Sequence, residues 1–296
     1  MNILVTGANG FLGQHLISHF STLKHDVIAA GRGDSRIPEK IPVQFHSLDL
    51  TDSAAVEDLI KIIKPQVIIH TAAISKPDEC EKNKEACLQN NVEATRHLLD
   101  AFKLAGSGNS LFIYLSTDFV FGENGPHSEE DMAGPLNFYG ESKLMAEELV
   151  INSGLKYAVV RPVFIYGPVW QGLRPSFLHW VKNNLEQSKK IKVVSDQLRT
   201  PTFVFDICKG IENIITQDKT GIYHLAGKDI LSPYQMAVIT ARVLALDDGL
   251  IENVTSETFP EPVQRAKHSG LKILKAQTEL GYAPVSFEDG VKYSFA

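Results

Sequence analysis

The chain has 296 residues, 44% of them hydrophobic and 22% charged, with 29 basic against 35 acidic side chains and a formal net charge of −6. Such a composition belongs to a globular protein of one or two domains. No Lys/Arg-rich run leaves a footprint for nucleic acid, and no apolar run nears the roughly 20 residues that span a bilayer.

From the N-terminus, short apolar runs alternate with amphipathic ones. "NILVTG" (2–7) leads into "GFLGQHLISHF" (10–20), then "DVIAAG" (26–31), "VQFHSL" (43–48), "DSAAVEDLIKIIK" (52–64) and "QVIIHTAA" (66–73). A single long helix is predicted over 79–106, followed by a strand in 110–118, a helix in 137–149 and a strand over 156–167. Buried strands alternating with helices imply an α/β fold, a doubly wound parallel sheet of the Rossmann type. After Gly167 the rhythm loosens: a helix near 175–188, a strand at 191–194, a strand in "TPTFVFD" (200–206), a run at 221–227 that could rejoin the sheet, and a helix within 232–246. Residues 1–167 are expected to bind a dinucleotide. Residues 168–296 are expected to form mainly a smaller substrate-binding lobe whose tail closes over the ligand.

Three cysteines, Cys80, Cys87 and Cys208, show no CxxC or Cys/His spacing, so no metal site is expected and the thiols should be reduced. The opening "MNILVTGANG" lacks the pattern of a secretory signal. A cytoplasmic protein is expected.

"TGANGFLG" places Gly7, Gly10 and Gly13, with Phe11 and Leu12 between them, after a strand and at the start of a helix. Gly7 suits a tight turn, Gly10 close approach of backbone to a pyrophosphate, and Gly13 close helix–sheet packing. At the end of the second strand, Arg32 favours the 2′-phosphate of NADP; recognition by Asp34 instead would leave NAD open. Asp49 and Leu50 could flank adenine, and the small Ala72 and Ala73 would admit ribose and diphosphate. His70 reads as a packed core histidine. Asn91, inside the long predicted helix, is a buried amide suited to hold a water or a kink beside the cofactor.

Tyr139 and Lys143, four apart, share one helix face. By itself that pair is commonplace. Together with TGxxGxxG at 6–13 and S/T-x-x-V-[YF]-G at 117–122, the YxxxK at 139–143 resembles the extended short-chain dehydrogenase/reductase family over almost the whole chain. The resemblance implies that Tyr139 is a general acid, that Lys143 lowers its pKa and holds the ribose, and that Thr117 hydrogen-bonds the reacting oxygen. Ser116, the competing hydroxyl, and Pro162 fall to the cofactor groove.

Sugar-nucleotide 4,6-dehydratases of this family carry an Asp-Glu pair after the catalytic Thr, whereas this chain has Asp118-Phe119. Phe cannot move a proton, so dehydration is disfavoured. The segments "STDFVFGENGPHSEEDMAGPLNFYGESKLMAEE", "AAISKPDECEKNKEACLQNNVEAT" and "DQLRTPTFVFDI" resemble dTDP-4-dehydrorhamnose reductases. That resemblance implies NADPH-dependent reduction of the C4 ketone of a nucleotide-linked 6-deoxy-4-keto sugar, with Thr117, Asp118 and Tyr139 touching the sugar. Where those reductases show R-T-S-W, this chain has Arg161-Pro162-Val163-Phe164, so Val163 and Phe164 would meet a sugar whose identity is open. Among Arg174, Arg199, Arg265 and Lys267, Arg199 is the first choice to grip the substrate diphosphate. Two alternatives accompany this one: an NAD-dependent nucleotide-sugar epimerase, and a non-catalytic NADP-binding subunit resembling the beta regulatory subunits of methionine adenosyltransferase. No nucleic-acid or membrane partner is implied, and a homodimer is compatible with the sequence.

Overall fold

The computed structural model describes residues 1–105, 110–170, 172–259 and 262–296. The first half runs β1 (Asn2–Thr6), α1 (Phe11–Thr22), β2 (Asp26–Gly31), β3 (Gln44–Ser47), α2 (Ser53–Ile63), β4 (Val67–His70), α3 (Pro77–Lys82), α4 (Lys84–Leu88), α5 (Ala94–Ala105), β5 (Leu111–Leu115) and α6 (Phe138–Ile151). The second half runs β6 (Lys156–Arg161), β7 (Ile165–Tyr166), α7 (Phe177–Glu186), β8 (Ile191–Val194), β9 (Thr202–Phe203), α8 (Val204–Thr216), β10 (Gly221–His224), α9 (Pro233–Val243), β11 (Ile251–Val254), α10 (Leu274–Leu280) and α11 (Phe287–Phe295).

Seven strands form one sheet in the order β10-β6-β5-β4-β1-β2-β3, with every pairing parallel. Alternation along each strand splits the core in two, as the period of two requires. Ile3, Val5, Ile69 and Ile113 face Leu16 and Phe20 of α1 and Ile207 and Ile211 of α8. Leu4, Ile68, Phe112 and Tyr114 face Ile60 of α2, Leu98 of α5 and Val150 of α6. Strand order reverses direction between β1 and β4, and a ligand crevice in such a sheet opens at the carboxyl ends of the two strands flanking that reversal. A smaller lobe is built from the parallel pair β8 and β11 under α7 and α9, with Val181, Ile191, Val193, Ala237 and Ile251 as its core. Among the described residues, no helix is long and apolar enough to cross a membrane.

Three expected elements differ from the structure. The single helix over 79–106 is instead α3, α4, a π-helical turn at Gln89–Glu93 and α5; its final residue, 106, lies outside the described residues. Asn83 makes the first break, because its side chain accepts the Ala86 N–H at 2.9 Å and starts a new helix. The strand over 156–167 stops at Arg161, where Pro162 removes a ladder donor and Phe164 takes a left-handed backbone (φ 40°) before β7 pairs with β9. In "TPTFVFD" only Thr202 and Phe203 are extended, because Ile207, Ile211 and Ile214 recur at helical spacing and draw the chain into α8 from Val204.

The ion pair of Arg161 with Glu147 is almost fully buried, with Nε–Oε1 at 3.0 Å and Nη2–Oε2 at 2.6 Å. Arg161→Met strands that carboxylate and is expected to cost about 3–5 kcal/mol. Urea unfolding should show a lower midpoint at unchanged slope, and adding Glu147→Leu should recover most of the loss.

Candidate active site

The turn from β1 to α1 is shaped by two glycines. Gly7 has φ 74°, and a Cβ there would come within 2.6 Å of the Ala72 nitrogen; a Cβ on Gly13 would meet the Gly7 carbonyl oxygen at 2.3 Å. Gly10 caps α1 without any side-chain partner, which leaves the first helical N–H groups to a ligand. A cleft of about 730 Å³ opens over this turn. Its size and its glycine floor suit a dinucleotide, whose diphosphate the helix N-terminus would hold.

Of the residues expected to bind the cofactor, Gly7, Gly10, Phe11, Leu12, Gly13, Arg32, Asp49, Leu50, Ala72, Ala73, Ser116, Tyr139, Lys143 and Pro162 all line the cleft. Asn91 does not; its neighbour Asn90 does. The buried Asn91 amide instead accepts from Ile74 N (2.8 Å) and donates to Ile74 O (3.1 Å) and the Ser142 hydroxyl (2.9 Å), pinning the chain after β4 to α6. His70 is packed between the hydroxyls of Thr6 (2.7 Å) and Thr95 (3.0 Å), and burial pushes its pKa down to about 3. Asp49 spends Oδ1 on the N–H and hydroxyl of Thr51 at 3.0 and 2.9 Å, which lowers its pKa.

Three contributors, Arg36, Asn9 and Ser176, escape the sequence reading, and a fourth, Arg174, expected among the cations for the substrate diphosphate, lines this cleft instead. Arg36 lines the cleft beside Arg32, whereas Asp34 does not. Asn9 clamps that loop: its amide donates to the carbonyls of Arg32 (3.0 Å) and Asp34 (2.9 Å) and accepts from Arg36 N (2.8 Å). Arg174 and Ser176 reach the cleft from the far side of the chain. The "RGDSR" spacing was a usable signal for Arg36.

Helix α6 begins at Asn137, whose side chain accepts the Gly140 N–H at 3.1 Å. Tyr139 and Lys143 on its inner face are buried at the end of β5. The Lys143 ammonium donates to the Leu115 carbonyl at 2.7 Å and lies 4.1 Å above the Tyr114 ring. Burial pushes its pKa from 10.5 down to about 7, opposed by Glu147, Cys87 and Cys80. Burial likewise raises the Tyr139 phenol, and a hydrogen bond with Thr117 works against that rise. The expected lowering of Tyr139 is therefore not a property of the protein alone, and would have to come with bound charge. Thr117 also accepts from Phe119 N at 3.2 Å, so its hydroxyl is fixed by the turn it begins. The Ser116 hydroxyl, by contrast, is buried without a partner in the cleft wall.

The expected sugar-side residues divide. Asp118 and Arg199 line a second, small pocket of about 10 Å³, room for about one water. Asp118 is raised by burial and lowered in turn by Arg199, Ser269 and Thr117. Arg199 is buried and donates to Gln197 Oε1 at 2.7 Å, so it is an internal partner of Asp118 and not a surface cation. Arg265, which pairs with Asp78 at 2.9 Å, and Asn137, which donates to Gln264 O at 2.9 Å, draw the chain around 264–269 across this pocket. Val163 and Phe164 line neither pocket. Val163 is buried against Val120, Phe121 and Leu271, and Phe164 packs edge-on to Phe177, because the break after Arg161 turns both into the seam between lobes. Among the described residues no group of His, Cys, Asp and Glu is placed to hold a metal ion.

The model of one protein family, the RmlD substrate binding domain, matches residues 1–296. Methionine adenosyltransferase 2 subunit beta of Mus musculus is 32% identical over 99% of this chain and 86% of its own. A dTDP-4-dehydrorhamnose reductase of Aggregatibacter actinomycetemcomitans is 29% identical over 98% of this chain and 97% of its own. Among solved structures, dTDP-4-dehydrorhamnose reductase of Bacillus anthracis in complex with NADP superimposes with a TM-score of 0.87 at 26% identity, covering 99% of this chain and 98% of that one.

Because the unfolded chain keeps the Lys143 proton up to about 10.5 and the folded one only to about 7, the unfolded state binds more protons between these values. Folding stability relative to Lys143→Met should therefore rise from about pH 7 to pH 10 and stay level below pH 7. Parallel stability curves for the two proteins across that window would mean that the buried lysine stays charged.

Proposed function

Because this chain belongs to the RmlD substrate binding domain family, we propose that it is an NADP-dependent reductase of a nucleotide-linked 4-keto-6-deoxy sugar. The carrying observation is continuity: one cleft runs from the glycine turn and Arg32 to Tyr139 and Lys143, and Thr117 stands close enough to that tyrosine to counter the rise in its pKa. In the division we adopt, residues 1–167 bind the dinucleotide and residues 168–296 mainly serve the sugar, with β10 lent back to the sheet.

Gly7, Gly10, Gly13 and the start of α1 would hold the diphosphate, with Arg32 and Arg36 on the 2′-phosphate and Ala72 and Ala73 giving room for ribose. When bound, the reduced nicotinamide supplies hydride. Lys143 orients the ribose hydroxyls with the N–H groups that Leu115 does not use. Tyr139 gives its proton to the carbonyl oxygen of the sugar, and Thr117 hydrogen-bonds the same oxygen. A phenol raised by burial keeps its proton until negative charge develops on that oxygen. Asp118, paired with Arg199, would accept from a sugar hydroxyl.

Likeness to methionine adenosyltransferase subunit beta supports a second reading, a non-catalytic NADP-binding regulator. Against it stands the joint retention of Thr117, Tyr139 and Lys143 in the arrangement described.

Incubation with NADPH and a dTDP-4-keto-6-deoxy sugar should oxidise NADPH stoichiometrically. Isomerised sugar without net oxidation would make the chain an epimerase, and NADP binding with no turnover would favour the regulator. Tyr139→Phe should keep cofactor affinity and lose at least about 100-fold in kcat. Arg32→Ser should raise the KM for NADPH about 10- to 100-fold, the value of a hydrogen bond to a charged group, and leave that for NADH nearly unchanged. Equal effects on both cofactors would remove Arg32 from 2′-phosphate recognition.

A further inference from the structure

Beneath Tyr139 lies a pair of thiols that the proposed reaction does not use. Cys80 on α3 and Cys87 on α4 are held face to face by the helix break at Asn83, and their sulfurs stand 2.6 Å apart. Neither sulfur is alone in its surroundings. The Asn91 amide donates to Cys87 Sγ at 3.4 Å, and the Ser142 hydroxyl, one residue from Lys143, lies 3.3 Å from it. Both cysteines are fully buried, packed with Tyr139 against Ile74, Phe119 and Phe138, which are themselves partly exposed. The third cysteine, Cys208, is buried on the other face of the sheet, against α1 and the strands.

We propose that Cys80 and Cys87 are a peroxide-oxidisable pair that closes to an intramolecular disulfide, and that this bridge lowers the activity of the neighbouring Lys143 site. The pairing meets the needs of such chemistry, in which one sulfur attacks and a second resolves. Sharing one proton between two sulfurs pushes the Cys80 thiol up and, with Ser142 and Lys143 helping, brings Cys87 down to about 7. Cys87, with the Asn91 amide and the Ser142 hydroxyl against its sulfur, is assigned the attacking role. Its sulfur displaces hydroxide from hydrogen peroxide, breaking the O–O bond and forming the sulfenic acid. Cys80 sulfur then attacks Cys87 sulfur; the S–S bond forms, the S–O bond breaks, and the departing hydroxide takes up the Cys80 proton. Two thiols lose two electrons and two protons, and the peroxide becomes two waters. A small thiol such as glutathione reverses the step by exchange.

The consequence for the site follows from charge. Cys87 Sγ lies 3.3 Å from the hydroxyl of Ser142, the residue that precedes Lys143, and at this close range the two sulfurs favour the charged form of that lysine. A neutral disulfide removes that anion from beside the ammonium, so the charged form of Lys143 becomes harder to keep.

The test is hydrogen peroxide applied to the intact reduced chain, followed by thiol titration in denaturant. Three thiols should fall to one, with the mass about 2 Da lower, a peptide linking Cys80 to Cys87, and full return with dithiothreitol. Cys208→Ser should leave the bridge unchanged. Cys80→Ser should instead stop at a trappable sulfenic acid on Cys87, about 16 Da heavier. Three thiols persisting under conditions that oxidise free glutathione, or a link through Cys208, would overturn the site.

NADPH-dependent turnover, an arm that rests on the reductase reading, should fall about three- to tenfold on bridging and recover on reduction. A bridge that forms with turnover unaltered would overturn the coupling to Lys143. A chain that bridges but never oxidises NADPH even when reduced would sink the reductase reading and leave the redox site standing.

Discussion

The buried ammonium of Lys143 is the constraint around which the site is arranged. Taking an amine out of water disfavours its charged form, which is why its pKa falls to about 7. The fold offsets that cost with a carbonyl, an aromatic face and an anion drawn from different elements. Leu115 O at 2.7 Å and the Tyr114 ring at 4.1 Å come from the end of β5, and Glu147 comes from the next turn of α6. Glu147 would itself be an expensive buried charge without Arg161 from β6. One β–α–β unit, β5–α6–β6, is therefore also one electrostatic assembly. His70 completes it by staying neutral: burial and the Lys143 charge hold its pKa near 3, so no second cation competes on that side.

The cofactor half of the site was legible because it is written in local patterns. A glycine spacing after a strand, small residues at a strand end and an i,i+4 pair each specify one backbone geometry, and the parallel sheet brings strand ends together without further instruction. Fourteen residues expected on those grounds line one cleft, and Asn91 is the exception. Its place inside a predicted helix suggests a buried amide holding a water or a kink beside the cofactor; it is buried at a π-helical turn, bonded to Ile74 and Ser142, and Asn90 lines the groove. The sugar half was less legible. Val163 and Phe164 follow a proline that ends β6, and a single strand-end motif does not record which way the chain turns next. Arg174 arrives from a loop whose position depends on the packing of two lobes, so no window of sequence contains the reason for it.

Asn9 ties these scales together. It sits in the glycine turn, yet its three hydrogen bonds go to the loop after β2. The same segment that approaches a diphosphate thereby fixes the direction of Arg32 and Arg36, while Gln14 on α1 donates to the Arg36 carbonyl at 3.0 Å. In the proposed reading, recognition of the two ends of the adenosine moiety would be mechanically one feature, because the backbone that carries the exposed arginines is already held. The entropy of ordering that loop's backbone is thus met in folding and not in binding.

On the sugar side the decisive substitution is Phe119. Its carbonyl oxygen lies 2.1 Å from where a Gly140 Cβ would sit, so the short turn at Asp118–Val120 is pressed onto the first turn of α6. The two rings meet edge to face at 5.4 Å. Elimination of water would need a base at this point, and an aryl ring supplies none. The ring does supply an apolar wall that keeps water from the phenol, and dehydration of that surface is the leading reason the Tyr139 pKa is high. In the proposed reaction such an acid is useful: it releases its proton only against an oxygen that hydride arrival is making strongly basic, and a neighbouring ammonium then takes up the charge left behind. In the proposed reading, the residue that offers no base for dehydration thus leaves the one-proton, one-hydride chemistry of reduction.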